Sequence, residues 1–269
     1  MTTAFGYACE GSASRLPFPI EAAHRLTRAL DAARREGRAP WLSPDAQAQV
    51  AVEFRDRRPA ALRAVALTMG ATRPPEAAEL RETLLREVVA PAFEGARLAP
   101  DAATRFVVEP AADAGGPAAH SGLTGRKTAD DAYGAFARRG GAALSGKDPS
   151  RIDRIAASAA RHAARAAVDA GLAREIEVQL SYVIGDEAPA SVEVDSFGSG
   201  RVPDERLSRR LRETADLRVA AVAERMDLWN LPGLRDGRFY RDLAAYGHMG
   251  RDDLSAPWED TVDLAARLA

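Results

Sequence analysis

Apolar positions change period several times along the chain, and each change marks an element. From Pro19 to Arg35, Ile20, Ala23, Leu26, Leu30 and Ala33 recur at helical spacing, with proline in the first turn and Gly37 just past the end. That predicts an amphipathic helix. Gln49 to Phe54 alternates Val50, Val52 and Phe54, Ala61 to Met69 alternates Val65, Leu67 and Met69, and Asp56 to Pro59 reads as the turn between them. The pattern is an antiparallel hairpin with one buried face. Helical period returns from Pro75 to Phe93 through Leu80, Leu84 and Val88, and Arg105 to Glu109 is a short strand-like run. Residues 1–17 read as loop.

Ala, Gly and Pro dominate from Ala111 to Ala119, which suggests a boundary between a domain of residues 1–110 and one of residues 111–269. A helix is expected from Pro149 to about Asp169, with Asp148 as its N-cap, an alanine-rich face made for close packing on a sheet, and Gly171 as its terminator. Glu175 to Ile184 alternates most clearly of all, Ser191 to Phe197 is its expected neighbour, and Pro203 to Ala215 and Leu217 to Leu228 are helical. Arg206, Arg209, Arg210 and Arg212 read as a solvated face. The second half therefore repeats the elements of the first, and the fold class is α+β, with helices on one face of each sheet.

Composition narrows the function only slightly. The 269 residues are 46% hydrophobic and 28% charged, with a formal net charge of -2, which gives no global attraction to nucleic acid or an anionic membrane. Any cationic function must be local. A single cysteine, Cys9, excludes an intrachain disulfide framework and a cysteine-rich metal site, and is expected to be inert. His24, beside an apolar stripe, reads as structural. With no long apolar run and no basic-then-apolar leader, the expected location is cytoplasmic.

Local charge is concentrated between Gly122 and Arg154. Gly140, Gly141, Ala142, Ala143 and Gly146 would let backbone approach a ligand, while Arg126, Lys127, Arg138, Arg139 and Lys147 supply positive charge. Gly141 to Lys147 fits the G-x-x-x-x-G-K of a P-loop, but Asp148 stands where Ser or Thr would hold Mg²⁺ and no strand-like run precedes it. An ordinary Gly-rich surface loop or a phosphate site of another kind are the remaining readings.

Several stretches carry a family resemblance: Gly122-Leu-Thr-Gly-Arg-Lys127, Asp131-Ala-Tyr-Gly134, Ser145-Gly-Lys-Asp148, Asp153-Arg154, Ala244-Ala-Tyr-Gly-His-Met-Gly-Arg251 and Pro257-Trp-Glu259. Phe5-Gly-Tyr-Ala8, Ala23-His-Arg-Leu26, Pro40-Trp-Leu42 and Pro44-Asp-Ala46 agree as well. Together they resemble methionine adenosyltransferase (S-adenosylmethionine synthetase), in that family's order, over its central and C-terminal domains. The resemblance implies two related βαββαβ-type domains and a reaction in which methionine sulfur attacks ATP and triphosphate leaves, with Mg²⁺ and K⁺ as cations. It implies that Lys147, Arg126 and Lys127 contact triphosphate, that Asp153 lies near metal and phosphates, that Ala143 sits close to ATP, and that His120, Arg151, Asp45 and Gln47 stand at substrate-binding positions.

Departures qualify that expectation. His120 stands where the family has an aspartate, Gln47 where it has a lysine, and Arg151 where it has another lysine. The family's N-terminal domain has no counterpart, so the chain is expected to be inactive alone. Three functions stay open: a subunit of a heteromeric enzyme sharing its site with a full-length chain or with a chain carrying the N-terminal domain, a non-catalytic regulatory or stabilising relative, and an independent enzyme acting on a nucleotide or triphosphate. A homodimer is the other expected assembly. No metal-binding residues are assigned.

Overall fold

The computed structural model describes residues 1–111, the side chain of residue 111 excepted, and residues 128–269. Two compact units result: Phe18–Leu123 is one, and Met1–Pro17 with Thr124–Ala269 is the other. A boundary at 110/111 counts the first residues with the first half. The strand they contain, residues 2–9, pairs with residues 175–182 of the second half.

In the unit beginning at Phe18, helix α1 (Phe18–Arg35) and helix α2 (Ala77–Leu84) pack with a three-stranded sheet of order β2 (Leu42–Arg55), β3 (Arg58–Ala71), β4 (Arg105–Ala111). β2 and β3 form the expected hairpin, longer than the alternation alone suggested, and β4 runs parallel to β3. Leu26, Leu30, Val65, Leu67, Leu84 and Val88 form its core. α2 widens into a π-turn at Leu85–Val89 and resumes at Ala90–Phe93. Pro91 has no N–H for the Glu87 carbonyl one turn back, and Arg38 Nη1 donates to that oxygen instead at 3.0 Å.

The other unit is built on a sheet of order β1 (Thr2–Cys9), β5 (Glu175–Tyr182), β6 (Ser191–Asp195), antiparallel throughout. β1 corrects the reading of residues 1–17 as loop. Its inward face is Ala4, Gly6 and Ala8, all buried, so smallness hid the strand where bulk would have announced it. Helix α3 (Ile152–Asp169) lies along β1 and β5. The approach is so close that a Cβ on Gly6 would come within 2.0 Å of the Ala160 carbonyl, which explains the alanine face of α3. Helices α4 (Asp204–Thr214), α5 (Val219–Arg225), α6 (Phe239–Leu243) and α7 (Val262–Leu268) complete the unit.

A buried ion pair anchors β1. The Arg161 guanidinium, fully buried on α3, donates to both Glu259 oxygens and to the carbonyls of Tyr7, Ser14 and Arg15. Glu259 also accepts from Arg165 and from the Gly250 N–H. Burial pushes the Glu259 carboxyl up, but the Arg161 and Arg165 charges and hydrogen bonds outweigh it and hold the group below the usual carboxylate range. Every donor and acceptor of the pair is used in structure.

Candidate functional site

The Gly-rich loop joins the turns at 128–137 to α3, alongside the first residues of β1. Gly140 fits against the Thr3 carbonyl, where a Cβ would stand 3.1 Å from the oxygen, and Gly146 adopts φ +78°, a conformation glycine takes without strain. Those two constraints set up Lys147. Its ammonium pairs with Asp153 in the first turn of α3, and its carbonyl accepts from Arg154 Nη1 at 2.7 Å. The other Asp153 oxygen accepts from Thr2 Oγ1 at 3.4 Å. Unlike the Arg161 pair, this one opens to solvent: the Lys147 and Asp153 side chains keep 28% and 17% exposure.

Beside the pair lies a pocket of about 40 Å³ lined by Thr2, Thr3, Asp131, Arg139, Gly140 and Asp153, among others. Phe5, Leu144 and Met249 make much of its wall apolar, with the two carboxylates and Arg139 as its charged groups. Burial, with the neighbouring Asp130 charge, raises the Asp131 carboxyl to about 6. Behind Asp131 is His248, nearly buried, whose Nδ1 is 4.0 Å from Asp131 Oδ1 and whose Nε2 is 3.5 Å from Ser145 Oγ. Burial and the charges of Arg154 and Arg251 lower its imidazole to about 3, so it is neutral at physiological pH.

The predicted site residues fall into three groups. Lys147 and Asp153 are brought into contact; Ala143 and Arg151 flank them, Ala143 on the loop and Arg151 exposed at the N-cap of α3. Asp45 and Gln47 lie on β2, in the other unit. His120, Arg126 and Lys127 lie outside the described residues. Asp148 does not cap α3: its carboxylate accepts from the backbone N–H and hydroxyl of Ser150, closing a local turn, and the helix starts after Arg151. The P-loop reading fails with it, because turns rather than a strand precede the glycines. Sequence reasoning missed Thr2 and Thr3, since β1 was not recognised, and gave His248 no role.

Sequence patterns decide the family. The pattern of the S-adenosylmethionine synthetase central domain matches residues 1–114, and that of the C-terminal domain matches residues 114–260. The chain belongs to the S-adenosylmethionine synthetase family. It is 45% identical over 275 residues to the S-adenosylmethionine synthase of Prochlorococcus marinus (strain MIT 9303), an alignment covering 98% of this chain and 66% of that protein. The S-adenosylmethionine synthase of Synechococcus elongatus is 44% identical over 267 residues, covering 96% and 64%, and that of Gloeobacter violaceus 45% over 278 residues, covering 98% and 66%. This member thus spans just under two thirds of the length of these relatives. Among the described residues no helix is long and apolar enough to cross a membrane.

Lysine is scarce in this chain. Of 37 lysine and arginine residues only two are lysine, Lys127 and Lys147. A chain that supplies nearly every cation as arginine keeps the compact ammonium in one segment, and an ammonium differs from a guanidinium chiefly as a small, strongly hydrated point charge.

Proposed function

We propose that the chain is a subunit of a methionine adenosyltransferase that forms S-adenosylmethionine from ATP and methionine at a site shared with a partner chain. Its contribution is the Gly-rich loop and Lys147, aimed at the triphosphate. The partner, a full-length S-adenosylmethionine synthase or a chain carrying the remaining third of the relatives' length, supplies the rest, and the chain is inactive alone. The observation that carries this reading is the solvent-open Lys147–Asp153 pair, on a loop shaped by Gly140 and Gly146, with Asp131, Arg139 and Asp153 lining one pocket beside it.

The chemistry asked of these residues is electrostatic. Triphosphate leaves with about four negative charges, so a preorganised cation helps only where charge develops. Lys147 supplies such a charge, and Asp153 holds it in place until a more strongly charged anion competes for it. Arg126 and Lys127 belong to the same proposed contact set, with Ala143 as a close backbone neighbour of the nucleotide. Asp45 and Gln47 are proposed to face ligand from the central domain. Among the described residues no three His, Cys, Asp or Glu side chains gather into a metal cage. Mg²⁺ held mainly by phosphate oxygens takes only one or two carboxylates, and Asp153 and Asp131, which line one pocket, fit that demand. The ion would neutralise charge on the triphosphate.

The test is to co-express the chain with a full-length S-adenosylmethionine synthase, purify the complex and measure S-adenosylmethionine formation from ATP and methionine. Lys147→Ala in this chain should lower turnover per complex. Unchanged turnover rejects the shared site.

A further inference from the structure

The loop that carries Lys147 is held from beneath by two buried side chains that the proposed chemistry does not use. Arg154 is 8% exposed; its guanidinium stacks over the Tyr240 ring at 4.2 Å and donates to the Lys147 carbonyl at 2.7 Å. That bond fixes the backbone from which the lysine extends. His248 is 3% exposed, its carbonyl accepts from Trp258 Nε1 at 2.9 Å, and its N–H donates to the Asp131 carbonyl at 2.8 Å. The imidazole is therefore delivered by a backbone tied at both ends. Its Nε2 stands 3.5 Å from Ser145 Oγ, two residues before the lysine, while Nδ1 has no hydrogen-bond partner among the described residues and faces Asp131 Oδ1 at 4.0 Å. A carboxylate on that side favours the Nδ1–H tautomer, leaving Nε2 as acceptor for the Ser145 hydroxyl.

We propose that His248 and Arg154 are positioning residues for Lys147: the imidazole holds the loop through Ser145, the guanidinium holds it through the Lys147 carbonyl, and the ammonium is thereby set before any anion arrives. Neither touches the ligand. The Arg154 bond at 2.7 Å is the short tie; the His248 contact at 3.5 Å is as long as the loop's own bond from the Lys147 N–H to the Leu144 carbonyl at 3.4 Å, and adds a second point of support. Preorganisation of this kind matters because a charge that must first be ordered gives back part of its binding energy as lost conformational entropy. The importance of the geometry rests on the proposed phosphate role of Lys147, whereas its existence does not.

The two lysines make it measurable. Reductive methylation with ¹³C-formaldehyde gives signals from Lys127, Lys147 and the N-terminal amine alone, and a dimethylammonium keeps the N–H that faces Asp153. Lys147→Arg assigns the signal. His248→Ala and Ser145→Ala should each move the Lys147 resonance toward that of an exposed dimethyl-lysine and weaken tripolyphosphate binding to the unmodified chain by about tenfold. His248→Gln, whose amide can occupy the Nε2 position, should restore both. Ser145→Ala removes only an exposed hydroxyl and reads the same bond should His248→Ala fail to fold. An unmoved resonance in folded Ser145→Ala, or a His248→Gln protein as perturbed as His248→Ala, overturns the proposal. Should wild-type chain ignore tripolyphosphate, the phosphate reading is what fails, and the resonances still decide the positioning.

Discussion

Two ion pairs on one helix do opposite work. Arg161 and Glu259 are sealed, 0% and 2% exposed, and each of their polar atoms has a hydrogen-bond partner. Asp153, in the first turn of α3, and Lys147, on the loop before it, have one ion pair, a few backbone ties and a pocket beside them. The first pair ties β1 to the body of its unit. The second is strong enough to hold a lysine still and weak enough to be displaced. Saturation distinguishes a structural pair from an available one more clearly than charge or distance does.

The largest effect should come from breaking the sealed pair. Glu259→Gln leaves the buried Arg161 guanidinium without its counter-charge and should cost about 3–5 kcal/mol in chemical denaturation. A loss under about 1 kcal/mol would remove the contrast.

Acid should act next, through buried histidines. Burial and the Arg225 charge lower His162 to about 4, and His248 falls to about 3. Both folded values lie below the unfolded value of about 6.5, so their stabilisation is complete above that pH and is lost as pH falls toward the folded values. Asp131 has the opposite sign: its folded value of about 6 exceeds the unfolded one, so it favours the fold in acid and ceases to as pH rises through 6. The histidines prevail, and these three groups together should remove about 2 kcal/mol between pH 7 and pH 5. Urea titrations at the two pH values read this directly, and His248→Gln should flatten the slope. Stability that rises on acidification would contradict it.

The smallest stability effect belongs to the available pair. Lys147→Ala should change the unfolding free energy by about 0–1 kcal/mol, because the pair is partly solvated. A loss comparable to Glu259→Gln would make it a structural pair after all.

Where side chains announce themselves by period, the sequence was readable: α1, the β2–β3 hairpin, β5 and the alanine face of α3 all follow from spacing. β1 was not, because Ala4, Gly6 and Ala8 are chosen for the gap beneath α3 and leave no apolar alternation. Its misreading hid Thr2 and Thr3 from the pocket, and with them the antiparallel pairing that draws the first residues into the second unit. The start of α3 misled for a related reason. Asp148-Pro149 has the composition of a cap, yet the carboxylate satisfies a turn three residues early. Lys147 and Asp153 were legible as motif residues, but their pairing was not, since nothing in their spacing says that a loop lysine folds back onto the first turn of the helix. Glu259 belonged to a quoted motif whose structural role only burial reveals.

The most direct test of the central claim is an equilibrium titration of tripolyphosphate into the co-purified complex, with this chain either wild type or Lys147→Ala. Loss of a charge-assisted contact predicts affinity lower by about tenfold or more in the variant, with unfolding unchanged. Equal affinities would contradict the assignment of Lys147 to phosphate.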